Sequence, residues 1–312
     1  MPEMPEVQGL VDYLDGRITG LTVTKVTVTN IAALKTYDPP VQSLHGAEIT
    51  GVSRHGKFLD VAAATVAATA PTAPATDGAA ATPTATTDDA SLHLVFHLAK
   101  AGWLRWYDAL PATALRPGKS PIAARVALSD GSGFDLTEAG TKKSLSVSIV
   151  RNPADVPGVA RLGPDPLDPA FTVDTLAGVL AGRRTQIKGV LRDQSLIAGI
   201  GNAYSDEILH AARMSPYALA SSLDADTVAH LYEAMQATIA EALAAASGKP
   251  PADLKDAKRR GMKVHARRGE ACPVCGDEVR SVFFADNSHE YCPTCQTGGK
   301  ILADRRLSRL LK

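Results

Sequence analysis

The residues best suited to chemistry stand at the two ends of this chain. It opens Met1-Pro2-Glu3-Met4-Pro5-Glu6. Removal of Met1 makes Pro2 the N-terminus and sets an amine beside the Glu3 carboxylate. A terminal amine has a reference pKa of roughly 7.7–8.0. A useful fraction is therefore neutral near neutral pH and able to attack a carbon, forming an imine. The neighbouring carboxylate can move protons. The same six residues also suit a frayed terminus with no chemistry at all. Toward the other end, Cys272-Pro-Val-Cys275 and Cys292-Pro-Thr-Cys295 spell C-x2-C-x16-C-x2-C. Two such knuckles supply four thiolates to one tetrahedral zinc ion. With no open position, that ion is structural. The 16 residues between the knuckles suit a β-hairpin too small to fold without the metal.

Two further features are weaker alone. In Leu196-Ile-Ala-Gly199-Ile-Gly201-Asn202 the glycines permit a tight turn and close backbone approach. Asn202 then opens a helix, whose free N–H groups and dipole favour a phosphate. The alternative is an ordinary interhelical turn with an Asn cap. Lys57, after Gly56, is either a phosphate contact or proton mover, or a solvated surface lysine.

Composition bounds the rest. A chain of 312 residues carries about two domains, with room for a small third. Lys+Arg and Asp+Glu balance at 33 each, so overall charge does not advertise nucleic acid. From Pro251 to Lys312, however, 13 basic residues face 8 acidic ones, a local +5. Lys255, Lys258, Arg259, Arg260, Lys263, Arg267 and Arg268 cluster there, as a solvated face or a phosphate-binding surface. No long apolar run or basic-then-apolar leader is evident, so a membrane span and secretion are not expected. All four cysteines belong to the knuckles, which fits a reducing, cytoplasmic setting.

Elements must position these groups. Val7, Leu10, Val11, Leu14 and Ile18 recur at helical spacing, predicting a helix over 3–18. Strands are predicted at 22–30, twice within 48–61 around Arg54-His55-Gly56-Lys57, and at 92–96, 124–128 and 144–150. Residues 62–90 are Ala, Thr and Pro with few large apolar side chains, and are expected to form a disordered, dispensable insertion. Five prolines and two glycines in 151–170 suggest a hinge. Helices are predicted at 172–181, 185–193, 202–212 and 226–246, the last capped by Asp224 or Asp226. A Cys-paired module and a basic tail (Arg305, Arg306, Arg309, Lys312) close the chain.

Together, Met-Pro-Glu-x-Pro-Glu-Val, His55-Gly56-Lys57, Gly199-Ile-Gly201-Asn202-x-Tyr204-x-x-Glu207 and the finger ending Cys295-Gln296 resemble the formamidopyrimidine-DNA glycosylase / endonuclease VIII family of bifunctional DNA repair enzymes. The resemblance spans nearly the whole chain. It implies an α+β multidomain fold: an N-terminal β-sandwich with flanking helices (1–155), a helix–two-turns–helix domain (156–262), and a zinc-finger β-hairpin with a basic tail (263–312). It implies damaged double-stranded DNA in a basic cleft, excision of oxidised bases, and strand cutting at the abasic site. In that reading Pro2 is the nucleophile that forms the Schiff base, and Glu3 handles protons. Lys57 contacts phosphate and assists the chemistry, Glu6 holds the N-terminal helix, and Asn202 grips a phosphate. Lys100 and Arg267 are further DNA-contact candidates. Cys272, Cys275, Cys292 and Cys295 hold the zinc. No catalytic metal or organic cofactor is expected, and the protein is expected to be a monomer associated with a bacterial nucleoid.

Three positions depart from the family pattern. Asn287 stands where members carry a finger Arg, and Asn cannot offer a charged fork to phosphate. His289 and Arg280 are the possible substitutes. Lys100 stands where a void-filling Met is usual. Asp135-Leu-Thr-Glu138-Ala139-Gly140 replaces an aromatic- and Arg-bearing wedge. Trp103 and Trp106 either supply replacement surface or pack in the core. These changes predict altered lesion preference, toward abasic sites or oxidised pyrimidines over 8-oxoguanine. The alternatives are a non-catalytic or abasic-site-specific DNA-binding protein, and an RNA-binding helical domain.

Overall fold

The computed structural model describes residues 1–65, 91–116, 120–283 and 288–303, and these divide into two units. One holds Met1, Val11–Arg54 and Phe58–Ala160; the other holds Pro2–Leu10, His55–Lys57 and Arg161–Lys312. Helix α1 (Met4–Ile18) contributes to both, with Val7, Leu10, Val11, Leu14 and Ile18 all buried, as their spacing predicts.

The first unit is built from eight strands among the described residues: β1 (Val23–Val28), β2 (Glu48–His55), β3 (Phe58–Ala64), β4 (Ser91–His97), β5 (Gly102–Tyr107), β6 (Ile122–Leu128), β7 (Gly133–Glu138) and β8 (Ser146–Val150). They form two four-stranded sheets, ordered β1-β6-β7-β5 and β2-β3-β4-β8. The sheets meet through their apolar faces. Phe96 of β4 and Phe134 of β7 lie 6.2 Å apart, centroid to centroid, and both are fully buried. The short helix α2 (Pro157–Ala160) ends the unit.

Three expectations need correction here. Strand β3 runs on to Ala64, pairing Ala62, Ala63 and Ala64 with His93, Leu92 and Ser91. The ladder with β4 overrides the poor apolar content of those alanines. The rest of the predicted insertion, 66–90, lies outside the described residues. Strands β5 and β7 were not predicted. Within β5 it is Leu104 that enters the core, while Trp103 and Trp106 are only half-buried on either side of it. Finally, Asp135 and Glu138 belong to β7 and are buried by it. Arg125 grips Asp135 in a two-pronged ion pair, Nε to Oδ1 at 2.6 Å and Nη2 to Oδ2 at 2.8 Å. Glu138 Oε1 accepts the backbone N–H groups of Ser144 and Leu145.

The second unit is mainly helical: α3 (Val173–Leu180), α4 (Ile187–Arg192), α5 (Asn202–Ala211), α6 (Ala225–Ala246) and α7 (Pro251–Gly261). Asp224 is the cap of α6, accepting from Thr227 N at 2.9 Å. Leu176, Leu191, Ile208, Leu231 and Met235 centre the core of α3 to α6. Helix α7 was read from sequence only as a basic run; its stripe of Pro251, Leu254 and Ala257 is buried. That stripe reaches α1 at Gly9, where an added Cβ would lie 3.0 Å from Leu254 Cδ2 and 3.3 Å from Ala246 Cβ. The chain then forms a hairpin of β9 (Arg280–Phe283) and β10 (Ser288–Tyr291), followed by α8 (Pro293–Thr297). No helix among the described residues is long and apolar enough to cross a membrane.

Candidate active site and zinc centre

The turn before α5 is shaped by one side chain. Gln194 Oε1 accepts from Gly199 N at 3.0 Å, and its Nε2 donates to Ile200 O at 2.7 Å. Gly199 sits at φ 87°, where a Cβ would also lie 2.7 Å from Met4 Cε. Met4 N donates to Gly199 O at 3.0 Å, so this turn and the start of α1 hold each other. Lys57 Nζ reaches the same turn from the β2–β3 connection and donates to Ile200 O at 2.8 Å.

Glu3 occupies the N-terminus of α5. Its Oε2 accepts from Gly201 N at 2.6 Å and Tyr204 N at 3.3 Å, and its Oε1 accepts from Ala203 N at 2.9 Å. The free amides and dipole of the helix end favour an anion, as predicted. The seated anion is this carboxylate, however, where sequence suggested a phosphate. Gly201 makes the approach possible, since a Cβ there would lie 2.5 Å from Glu3 Cδ. Burial alone would raise the Glu3 pKa. The charges of Lys258 and Lys57 and the amides of Ala203 and Tyr204 outweigh it and bring the pKa down to about 2.

Glu6 ties the cluster together. Its Oε2 accepts from Glu3 N at 2.8 Å and from Lys258 Nζ at 2.7 Å, and its Oε1 accepts from the Tyr204 hydroxyl at 2.6 Å. Lys258 Nζ also lies 3.6 Å from Glu3 Oε1 and 4.6 Å from the Tyr204 ring centroid. Burial, with Glu6 beside it, pushes the Tyr204 hydroxyl pKa up, so it stays a donor. Lys57 is 5% exposed. Burial lowers its pKa, Lys258 and Arg192 add to that, Glu3 and Glu6 oppose it, and the result is about 8. Pro2 is buried beside Glu3. Pro2, Glu3, Glu6 and Lys57 are thus brought together in one unit. Sequence reasoning named Lys258 only as part of a basic run and Tyr204 only as a motif position, without placing either in this site, and did not name Gln194. The one signal for Lys258 was its place beside Ala257 on the apolar stripe of an amphipathic α7.

The remaining candidates are distributed differently. Asn202 is half-buried at the start of α5, and its Oδ1 is buried with no hydrogen-bond partner among the described residues. Lys100 is exposed in the turn between β4 and β5 of the first unit. Arg267 spends its guanidinium within the chain, on Met262 O, Arg259 O and Glu270 Oε2, so it is a brace for the segment after α7. Among the other basic residues, Lys263 pairs with Glu241 and Arg259 with Asp256. Asn287 and the basic tail lie outside the described residues. His289 is no substitute for an arginine: it is buried, and burial together with Lys188 and Arg192 lowers its pKa to about 3. Arg280 is half-exposed and paired with Glu278 at 3.4 Å.

The four cysteine sulfurs lie within 4.8 Å of one another, with Cys272–Cys295 at 3.9 Å and Cys275–Cys292 at 3.3 Å. Thiolates about 2.3 Å from a zinc ion in a tetrahedron need such spacings. The four cysteines therefore form a zinc site, around which Val264 and Val279 make a small core. Helix α5 is tied to it by His210 Nε2, 3.3 Å from Cys272 Sγ. Gln296 adds a second tie, accepting from Cys292 N and donating to Met214 O. Nearby, Lys188 pairs with Asp206, and His265 Nδ1 lies 2.8 Å from Asp206 Oδ2 and 3.0 Å from Glu290 Oε2. Asp206, His265 and Glu290 could in principle hold a metal, but the Lys188 and His265 cations already balance the two carboxylates. Glu207, a member of the sequence motif, accepts the backbone N–H groups of Lys263, Val264 and His265.

Known protein families match the chain in three stretches. Residues 1–143 match the formamidopyrimidine-DNA glycosylase N-terminal domain, residues 162–250 its H2TH domain, and residues 269–298 the zinc finger found in FPG and IleRS. An uncharacterized formamidopyrimidine-DNA glycosylase-like protein of Mycobacterium tuberculosis is 57% identical over 159 residues, 51% of this chain and 99% of that one. The formamidopyrimidine-DNA glycosylase of Heliobacterium modesticaldum is 31% identical over 95% of this chain and all of its own. Among solved structures, the Lactococcus lactis enzyme superposes with a TM-score of 0.74 at 22% identity, covering 95% of this chain and 99% of its own. With the N-terminal domain, an H2TH domain and a zinc finger in this order, the chain belongs to the formamidopyrimidine-DNA glycosylase family.

Proposed function

We propose that this protein is a base-excision repair enzyme that excises oxidised bases and cuts the strand at the abasic site, using the amine of Pro2 after Met1 is removed. The observation that carries the reading is the buried cluster of Glu3, Glu6 and Lys57 next to Pro2. Of these, Glu3 and Lys57 have displaced pKa values, and buried groups so displaced within one cluster are characteristic of catalytic sites. The Lactococcus lactis neighbour is bound to DNA containing an abasic site, which supports a damaged-duplex substrate here.

In this mechanism the target nucleotide leaves the stack. The Pro2 nitrogen lone pair attacks C1′, the bond from C1′ to the base breaks, and the base departs with its electron pair and takes up a proton. The Pro2 N–H proton leaves, and opening of the sugar ring, with a proton to its oxygen, then gives a cationic imine between Pro2 and C1′. That cation draws electrons from the C2′–H bond, so the proton leaves and the 3′ phosphate is expelled. Glu3, ionised at neutral pH by its seat on α5, faces the developing cation and stabilises it. Lys57, with a pKa of about 8, is matched to proton transfer near neutrality. Asn202, half-buried at the start of α5, holds a phosphate beside the lesion through its side-chain N–H. Zinc holds the finger and takes no part in these steps.

The expected preference is for abasic sites or oxidised pyrimidines over 8-oxoguanine. Asp135 and Glu138 support this, because both are committed to the sheet and its neighbouring backbone. Borohydride reduction in the presence of duplexes carrying each lesion tests the proposal. A covalent adduct that disappears in Pro2→Gly supports it; tight binding with no adduct on any duplex points to a DNA-binding protein without catalysis.

A further inference from the structure

We infer that Lys258 is a positioning residue for the Pro2 amine: its ammonium offsets the negative charge of the Glu3–Glu6 pair, so that the nucleophile remains uncharged at the pH where it must attack. This rests on the reading of Pro2 as the nucleophile.

An amine one residue from Glu3 and four from Glu6, both buried carboxylates, faces an obstacle. Each negative charge stabilises its protonated form, and a protonated amine has no lone pair to give. Glu3 and Glu6 are 2% exposed each, so water screens them little. The groups facing them from every packed element are few. Glu6 comes from α1 and Glu3 immediately precedes it; the β2–β3 connection supplies Lys57, α5 supplies Tyr204 and α7 supplies Lys258, while Arg192 of α4 acts on Lys57 and Glu207 of α5 acts on Tyr204. Of the cations, Lys258 touches both carboxylates, at 2.7 Å and 3.6 Å, and the Tyr204 ring at 4.6 Å holds its other side. Lys57 donates to Ile200 O at 2.8 Å. Lys258 is thus the fixed counter-charge, and Lys57 remains the group that titrates.

The fold invests in this placement. Leu254 and Ala246 meet α1 at Gly9, which brings α7 close enough for a side chain 252 residues distant in sequence to reach Glu6. The other basic residues of α7, Lys255, Arg259 and Arg260, are exposed.

The test is the pH dependence of borohydride-trapped adduct on an abasic duplex, for the zinc-loaded mature protein and for Lys258→Met, Lys258→Gln and Lys258→Arg. Gln keeps a donor for Glu6 without the charge. The rising limb, which reports loss of the amine proton, moves to higher pH in Met and Gln. Trapping on its acid side falls about tenfold for each unit of displacement, and the rates converge at high pH. Arg brings the limb back toward the wild-type position. A lower rate with an unmoved limb, in Met and Gln alike, overturns the inference and leaves Pro2 as the nucleophile. Wild-type protein that never traps at any pH removes both. Should Met fail to fold, as judged by zinc content and thermal unfolding, Gln carries the comparison. Titration of the Pro2 ring carbons by NMR without DNA gives a second reading, with an unchanged amine pKa in Gln as the contrary result.

Discussion

The backbone N–H of Gly201 donates to Glu3 Oε2 across 2.6 Å, so a carboxylate from the start of the chain occupies the N-terminus of α5. A helix end that would bind a phosphate instead fixes the residue beside the proposed nucleophile. Gly201→Ala therefore has a defined consequence, because its Cβ would lie 2.5 Å from Glu3 Cδ. Glu3 is displaced, and the rate of abasic-site cutting falls by about 100-fold, a loss that a misplacement near 1 Å can produce. Single-turnover kinetics beside thermal unfolding check this; a full rate in a folded variant contradicts it.

Lys57 predicts the alkaline side of the pH profile. A lysine with a pKa of about 8 is an ammonium below that pH and loses its proton above it. If the ammonium is the working form, cutting declines as pH passes through about 8. Lys57→Met abolishes that limb and slows cutting by roughly 100-fold or more. An alkaline limb that persists in Lys57→Met assigns it to another group.

Much of this site was legible because its parts are contiguous in sequence. Pro2 and Glu3 are neighbours, the cysteines announce their ligand set by spacing, and α1 follows from Val7, Leu10, Val11, Leu14 and Ile18. Lys258 was hidden for a physical reason. A basic helix face is usually solvated, and only the packing of Leu254 on α1 turns this lysine inward while Arg259 and Arg260 stay outside. The partners of Glu3 were hidden too, because backbone amides have no letter. Strand β7 escaped notice because Asp135 and Glu138 read only as standing at the position of the family's wedge; Arg125 and the amides of Ser144 and Leu145 let the fold bury them.

Metal removal separates the finger from the helices. Val264 and Val279 have little to pack against besides the cysteines. A chelator that strips the zinc is expected to unfold the segment after α7 and to abolish DNA binding, while the core around Leu191, Ile208 and Leu231 keeps its helicity. Zinc release without loss of DNA binding contradicts this assignment.

His265 carries a pH-dependent share of stability. Burial lowers its pKa, but the bonds to Asp206 and Glu290 outweigh that and raise it from 6.5 to about 9. A pKa raised in the folded state means stabilisation that is complete below the unfolded value of 6.5 and is lost as pH rises through about 9. The shift corresponds to on the order of 3 kcal/mol. Urea denaturation of the zinc-loaded protein between pH 6 and 9 measures it. His265→Ala is expected to be less stable at the acid end and to lose most of the slope; an unchanged slope shows that the charge lies elsewhere.

The central claim is that Pro2 attacks the sugar. Borohydride trapping on an abasic duplex with protein whose Met1 has been removed tests it most directly. The account predicts a covalent protein–DNA adduct whose peptide map places the reduced sugar on Pro2, and no adduct from Pro2→Gly or from protein that retains Met1. An adduct mapped to another amine, or one that survives in Pro2→Gly, would contradict it.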